Sequence, residues 1–119
     1  MIGIDAVDIE RLRAVLHRSP GLEERLFTSA EVRYCRSRPD PVVHLAGTLA
    51  VKEAVIKAAC LGPLVAWSRR IEVQRGASGA PRATIRGLVH DPIDISISHD
   101  GGIAVAVAVS PQSHRADRR

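Results

Sequence analysis

Aromatic residues are scarce in this 119-residue chain, which holds one Phe, one Tyr and one Trp. Proteins that bind single-stranded nucleic acids stack the bases on aromatic side chains, so this scarcity argues against such binding. No apolar run reaches the ~20 residues of a membrane span, and the first residues lack a signal-peptide pattern. We therefore expect no nucleic-acid partner, no membrane partner and a cytoplasmic location.

Cysteine is nearly as scarce, with only Cys35 and Cys60. The two are neither a C-x-x-C pair nor part of a histidine cluster, so zinc binding is not indicated. Both fall in predicted helices, and we expect two buried free thiols. A disulfide between them is the alternative.

The positive charge of the chain is modest, at +4 with a pI near 9.8. The last residues, His114–Arg119, hold three Arg against one Asp. We expect a folded domain over residues 1–110, followed by a basic, disordered tail over residues 111–119. The length is sufficient for a real core. The remaining positive charge is compatible with a face that binds an acidic protein or a phosphorylated ligand.

One stretch rich in Ala, Leu and Val predicts a long helix over residues 41–61. Asp40 is its expected N-cap, with Pro41 at the first helical position. Gly62 and Pro63 provide the stop signal. The helix is apolar almost all round, which is typical of a buried helix.

Four polar side chains interrupt this apolar helix. On a helical wheel, Glu53 and Lys57 fall nearly opposite Thr48 and Lys52, among small side chains. A buried charge persists only when it is paired or bound to a metal or ligand. We therefore expect Glu53 and Lys57 to lie in a buried functional site. The alternative is an i,i+4 ion pair on the protein surface.

The first strand, over Ile2–Val7, is predicted to be of the buried type and contains a carboxylate, Asp5. Asp8 is better placed to cap the helix that begins at Ile9, so Asp5 needs another partner. Metal ligation is our preferred interpretation of Asp5. A carboxylate that caps the next element is the alternative.

The other elements complete an α+β fold. We expect a helix over Ile9–His17, a short helix that Ser19–Pro20 opens and that runs to Phe27, and a third that starts at the capping box Thr28–Glu31. Two hairpins follow, over residues 70–86 and 93–109. The predicted architecture is an antiparallel sheet packed on one long helix plus short helices. The arginines of the short helices are either a solvated face or a partner-binding face: Arg11, Arg18, Arg33, Arg36 and Arg38.

Three segments together resemble a known family: Gly3–Arg11, Leu45–Ala58 and Ile95–Asp100. The family is holo-[acyl-carrier-protein] synthase, the small 4'-phosphopantetheinyl transferase, and the resemblance spans residues 2–109. It implies Mg²⁺-dependent transfer of the phosphopantetheine arm of coenzyme A to a serine of an apo acyl carrier protein, with release of adenosine 3',5'-bisphosphate. It also implies a homotrimer.

The resemblance implies a role for each matching residue. Mg²⁺ prefers carboxylates together with phosphate oxygens and water. The metal ligands that the resemblance implies, Asp5 and Glu53, agree with this preference. Together with Lys57 and His99 they form the implied catalytic set. Lys57 and His99 would also bind the coenzyme, as would the turn residues Gly79 and Pro81, and Arg11 would bind the carrier protein.

Some positions depart from the family pattern. Many members carry Arg at the position of Thr48 and Lys at that of Ala80, and Pro63 stands where a small polar residue is usual. Two cations near the nucleotide are thus missing, and the candidates to replace them are Arg69, Arg70 and Arg82. Two other functions stay open: a non-enzymatic basic module that binds an acidic protein or nucleic acid, and a degenerate member that binds coenzyme A but turns over poorly.

Overall fold

A computed structural model describes residues 1–76, 80–88 and 92–110. The predicted tail over residues 111–119 lies outside the described residues, as does Gly79 in the first hairpin. The elements, in chain order, are β1 (Ile2–Asp8), α1 (Ile9–Arg18), α2 (Leu22–Leu26), α3 (Ser29–Arg36), α4 (Pro41–Ala59), α5 (Leu64–Trp67), β2 (Ile71–Arg75), β3 (Pro81–Ile85), β4 (Ile93–Asp100) and β5 (Ile103–Val109). Relative to the sequence-based prediction, α5 is additional and α2 begins later, after Gly21.

The strands form one antiparallel sheet in the order β1-β5-β4-β3-β2. Both predicted hairpins are confirmed. The tight connection between β4 and β5 places Gly101 and Gly102 at φ 58° and 84°. A two-residue hairpin turn that matches the twist of the strands needs a positive φ at both of its central residues, and glycine adopts this conformation without strain.

The long helix α4 packs across one face of this sheet. The face that β5 presents consists of alanines, and Ala104, Ala106 and Ala108 are fully buried. These small side chains let the helix approach the sheet closely, as their alternation with valine predicts. None of the described helices is both long enough and apolar enough to cross a membrane.

The end of α4 corrects two predictions. The helix stops at Ala59, because Cys60 adopts a left-handed conformation with φ 56°. Cys60 is exposed there, so the expectation of two buried thiols is wrong for this residue. Cys35 is buried, and both cysteines are free, which excludes the disulfide. Asp40 stands at the N-cap position as predicted, but its carboxylate accepts hydrogen bonds from Arg13 and caps no backbone N–H.

The edge position of β1 also differs from the prediction of a buried strand. Ile2 and Ile4 are 72% and 58% exposed, on the face of the sheet opposite α4. The other face of β1 meets α4 through Gly3, the one buried residue of the strand. A Cβ atom at Gly3 would lie 1.9 Å from the carbonyl oxygen of Ala54 and 2.8 Å from the amide nitrogen of Ala58. Only a glycine therefore allows the strand to lie this close to the helix.

A buried ion pair joins Lys52 to Glu31, on a side of α4 for which the helical wheel predicts no site. Lys52 Nζ lies 2.8 Å from Glu31 Oε1, and both side chains are almost fully enclosed. Lys52 also donates to the carbonyl oxygens of Ser68 and, at 2.5 Å, Ile71. Burial lowers the pKa of Lys52, and the negative charge of Glu31 opposes this shift.

Glu31 ties together three parts of the chain. It completes the predicted capping box of α3, since its Oε1 accepts from the backbone nitrogen of Thr28 at 2.8 Å. Its Oε2 accepts from the backbone nitrogen of Val73 on β2 at 2.7 Å. A buried charge with this many partners carries no unmet hydrogen-bonding need. The pair thus fastens α3 and α4 to the β2 side of the sheet.

We expect Gly3→Ala to destabilise the protein by about 3 kcal/mol or more, because an overpacked contact between two backbones cannot relax by a rotamer change. Gly62→Ala is the matched control. A Cβ there would meet only the Trp67 ring, at 3.4 Å from Nε1 and 3.9 Å from Cδ1, so the effect of the substitution on the free energy of unfolding should stay within about 0.5 kcal/mol. Denaturant unfolding measures both. Equal stability of the Gly3→Ala variant and the unmodified protein would show that the strand does not depend on this contact.

Candidate active site

The contact of β1 with α4 brings Asp5 to the C-terminal half of the helix. Lys57 Nζ donates to Asp5 Oδ1 at 2.8 Å and to the carbonyl oxygen of Ile4 at 3.0 Å. The ammonium group is exposed, whereas the Asp5 side chain is only 21% exposed. The charged partner of Lys57 is therefore Asp5, and the expectation that Lys57 is buried is wrong.

Glu53 lies one helical turn before Lys57 and is half-buried. Burial raises the pKa of Glu53, the negative charge of Asp5 raises it further, and the positive charge of Lys57 lowers it. Lys57, which bonds Asp5 at 2.8 Å, lies one turn after Glu53 on the same face of α4. Residues separated by almost fifty positions thus lie at one place, as the resemblance implies.

This pair of carboxylates fits Mg²⁺ better than it fits a transition metal. Residues 1–76, 80–88 and 92–110 contain no group of three or more His, Cys, Asp or Glu side chains that could hold a metal ion. A site with two carboxylates and no nitrogen or sulfur ligand leaves most of the coordination to water and substrate oxygens, which is the usual arrangement for Mg²⁺. A divalent cation would also remove the repulsion that raises the pKa of Glu53.

His99 and Pro81 lie together at a second place, a cavity of about 260 Å³ beside the N-terminal half of α4. Its lining includes two residues that the sequence analysis missed, His44 and Arg75. The ring centroids of His44 and His99 are 6.5 Å apart. We call this space the His99 cavity. Arg75 ends β2, and alternation along the strand places it on the same face as Ile71 and Val73, which are buried with residues of α4. The period-2 pattern is therefore the signal that could have identified it.

The His99 cavity and the carboxylates lie on neighbouring parts of the sheet. His99 pairs with Ala104, which pairs on its other side with Val7, two residues beyond Asp5. Two strand spacings of ~4.8 Å and two residues of ~3.4 Å put the Cα atoms of His99 and Asp5 roughly 12 Å apart. One ligand of nucleotide size can therefore reach both.

Arg11 lies apart from both places, in the first turn of α1. Its backbone nitrogen donates to Asp8 Oδ1 at 2.9 Å, which confirms Asp8 as the N-cap. Its side chain is exposed. The neighbouring Arg13, by contrast, forms salt bridges with Glu10 and Asp40.

The arginines proposed to replace missing cations are not in the His99 cavity. Arg69 and Arg70 line a separate groove with Glu72 and Arg86. The guanidinium carbon of Arg70 lies 4.3 Å from the centroid of the Trp67 ring. Arg82 is exposed on β3, where it pairs with Asp94 across the sheet. The expectation that one of these residues takes over at the cavity finds no support.

Comparison with known proteins decides the family. A sequence model described as the 4'-phosphopantetheinyl transferase superfamily matches residues 1–108. The chain belongs to this superfamily. It is 41% identical over 116 residues to the holo-[acyl-carrier-protein] synthase of Chlorobaculum parvum, covering 91% of this chain and 95% of that one. It is 39% identical over 119 residues to the enzyme of the same name from Moorella thermoacetica, covering 93% of each.

Solved structures of the superfamily have the same fold as this chain. The Helicobacter pylori holo-[acyl-carrier-protein] synthase in complex with coenzyme A matches with a TM-score of 0.73 and 29% identity, over 92% of this chain and 98% of that one. The Bacillus anthracis enzyme in complex with CoA (3',5'-ADP) matches with a TM-score of 0.75 and 29% identity, over 92% and 96%. The predicted family and fold class are therefore confirmed.

The charges around Glu53 predict two shifts of opposite sign. Asp5→Asn should lower the pKa of Glu53, because it removes the repelling carboxylate, and Lys57→Met should raise it, because it removes the attracting ammonium. NMR titration of the Glu53 carboxyl carbon without divalent metal measures both. Shifts of the same sign in both variants would contradict this electrostatic account.

The raised pKa of Glu53 also determines how this residue makes the free energy of unfolding depend on pH. A carboxyl whose pKa is raised by folding destabilises the folded state once it ionises. Its penalty is absent below the ordinary carboxyl pKa of about 4.3 and grows as the pH rises through the raised value. Ionised Glu53 therefore opposes folding at neutral pH, whereas the raised pKa of Lys57, caused by its hydrogen bond to Asp5, has the opposite sign and favours folding there.

Proposed function

We propose that this protein transfers the 4'-phosphopantetheine group of coenzyme A to a serine of an apo acyl carrier protein and releases adenosine 3',5'-bisphosphate. The observation that carries the proposal is the convergence of Asp5, Glu53 and Lys57 where β1 crosses α4. Relatives that cover more than nine-tenths of the chain are holo-[acyl-carrier-protein] synthases, and the Helicobacter pylori relative binds coenzyme A. The identity of the carrier, from fatty-acid or polyketide synthesis, stays open.

In this proposal, Asp5 and Glu53 hold Mg²⁺, which when bound neutralises charge on the diphosphate of the coenzyme. The serine oxygen forms a bond to the β-phosphorus, and the bond from that phosphorus to the bridging oxygen breaks. The electron pair leaves with the 5'-phosphate of the nucleotide product. The exposed ammonium of Lys57 lies beside the carboxylates, where it can neutralise charge on the reacting phosphates.

The proton of the serine hydroxyl also needs an acceptor. Glu53 lies beside Lys57 and Asp5 and would hold a water molecule near the serine hydroxyl. We assign the role of proton acceptor to that water molecule. His99 in its cavity would contact the coenzyme away from the reacting bond, as would Pro81 beside it, and Gly79 is assigned to the same role by the resemblance alone.

The exposed side of the sheet supports assembly of several copies. Ile2 and Ile4 of β1 and Val109 of β5 are large apolar side chains that are 72%, 58% and 47% exposed. Ile2 pairs directly with Val109, so these side chains form a continuous apolar edge. A surface of this kind usually marks an interface between proteins. We therefore retain the homotrimer as part of the proposal.

Glu53→Gln should lower the rate of transfer by about 100-fold or more, because it removes a metal ligand and the carboxylate that orients the proton-accepting water. The fold should persist, since the side chain is not in the core. Incubation with coenzyme A, Mg²⁺ and an apo carrier protein, followed by mass spectrometry of the carrier, measures the rate. Glu24→Gln, an exposed change of the same chemistry on α2, is the matched control.

Three outcomes of this assay would contradict part or all of the proposal. Undiminished transfer by the Glu53→Gln variant would remove Glu53 from the mechanism. Absence of transfer by the unmodified protein, combined with binding of coenzyme A in calorimetry, would identify a degenerate member. Absence of both would favour the basic binding module.

Arg11→Glu should raise the KM for the carrier protein roughly ten-fold or more and leave the KM for coenzyme A unchanged. The reason is that acyl carrier proteins are acidic and Arg11 is an exposed cation in the first turn of α1. Arg86→Glu makes the same change in net charge at a different surface and is the control. Equal increases of both KM values, or equal effects of the two variants, would contradict a specific role for Arg11.

A further inference from the structure

The His99 cavity has walls from five elements. The N-terminal half of α4 contributes His44, β2 contributes Arg75, β3 contributes Pro81, β4 contributes His99 and β5 contributes Ala104. Three of these side chains are cationic or can become so: His44, Arg75 and His99. The carboxylate that acts on His44 is Asp40, and Arg13 binds that carboxylate at 3.3 Å. The cavity is therefore electropositive.

Arg75 is held in this cavity by contacts that leave its charge unneutralised. Arg75 Nη2 donates to Thr48 Oγ1 at 3.3 Å, and the guanidinium carbon lies 4.6 Å from the centroid of the Tyr34 ring. Within the part of the chain that the structure describes, no carboxylate lies within 4.0 Å of this guanidinium. A guanidinium has five N–H donors, so most of them are available to a ligand.

Thr48 has the right hydrogen-bonding pattern to position Arg75. Its hydroxyl donates its single proton to the carbonyl oxygen of His44 at 2.8 Å, one turn earlier in α4. The oxygen can then act only as an acceptor toward the arginine. The hydroxyl group therefore fixes one nitrogen of Arg75, while the Tyr34 ring fixes the plane of the guanidinium group.

The titration of His44 supports an anionic ligand. Burial lowers the pKa of His44, and the positive charges of Arg75, Arg38 and His99 lower it further, while Asp40 opposes them. These charges repel one another when the cavity holds no counter-ion. A phosphate dianion would relieve that repulsion and accept bidentate hydrogen bonds from the arginine.

We propose that Arg75, positioned by Thr48, binds the phosphate on the ribose of coenzyme A in the His99 cavity, and that this contact selects coenzyme A over its 3'-dephospho form. The inference rests on the proposed function for the identity of the ligand. The distance of roughly 12 Å from His99 to Asp5 across the strands suits a nucleotide whose ribose phosphate lies in the cavity and whose diphosphate lies at Asp5 and Glu53. It also explains how this chain manages with Thr at position 48, since the cation comes from β2.

The test compares coenzyme A with 3'-dephospho-coenzyme A as ligands of the full protein. Arg75→Met keeps the length and the apolar contact with Tyr34 but removes the charge. It should weaken binding of coenzyme A by roughly ten-fold or more, the usual loss for one charged hydrogen-bonded contact. Binding of the dephospho form should stay unchanged. The affinity of the Arg75→Lys variant for coenzyme A should lie between those of the unmodified protein and the Arg75→Met variant, because an ammonium group keeps the charge but cannot bind bidentately.

Thr48→Val separates the positioning role from the charge. It removes the acceptor and keeps the shape, so it should weaken binding of coenzyme A in the same direction as Arg75→Met, but less. Binding of the dephospho form should again stay unchanged. Thermal unfolding of each variant shows whether it is folded. If the Arg75→Met variant is not folded, the Arg75→Lys variant takes its place in the comparison of the two ligands.

Calorimetry separates failure of this inference from failure of the proposed transfer. Loss of discrimination in the Arg75 variants upholds the inference even if the unmodified protein transfers nothing to a carrier protein. Equal weakening of both ligands, or no effect on either, overturns it. Equal affinity of the unmodified protein for the two forms overturns it as well.

Discussion

The close contact between Gly3 and α4 is the constraint on which the rest of the structure depends. The absent side chain lets the edge strand lie against the backbone of Ala54 and Ala58. Side chains alternate along a strand, so the residue two positions after Gly3 faces the same helix. That residue is Asp5, and it therefore lies beside Glu53 and Lys57. A strand shifted outward by one methyl group would still form the sheet but would move Asp5 from the other two charges.

The two ion pairs of α4 divide stability from chemistry. Lys52 and Glu31 are enclosed and saturated with hydrogen bonds, so they fasten elements and cannot exchange partners. Lys57 and Asp5 are partly open to solvent, and Glu53 beside them has a raised pKa, which means that the site is electrostatically unsatisfied. A protein tolerates such strain where a ligand relieves it. The same helix thus carries a permanent pair on one side and an exchangeable one on the other.

The sequence predicted what short-range patterns encode. The capping box at Thr28, the two hairpins and the small-residue face of β5 all follow from local rules, and the structure confirms them. The residues alone predicted that Asp5 needs a partner, and the resemblance implied that Glu53 shares its site. The burial expected for Lys57 was wrong and the burial of Lys52 was not foreseen, because a helix that is apolar almost all round gives the wheel no preferred face. Burial then depends on α3 and β2, which no local pattern relates to α4.

Arg75 illustrates the remaining limit of sequence patterns. Alternation places it on the face of β2 that meets α4, but which residues of α3 and α4 it contacts there depends on how those helices pack on the sheet. A comparison with the family pattern position by position tests residue 48 on one helix and does not consider the strand beside it. In the structure, Arg75 Nη2 lies 3.3 Å from the Thr48 hydroxyl, so a guanidinium of β2 reaches the space beside that residue. Charge at a binding site is thus a property of the space that the side chains reach, whichever element they come from.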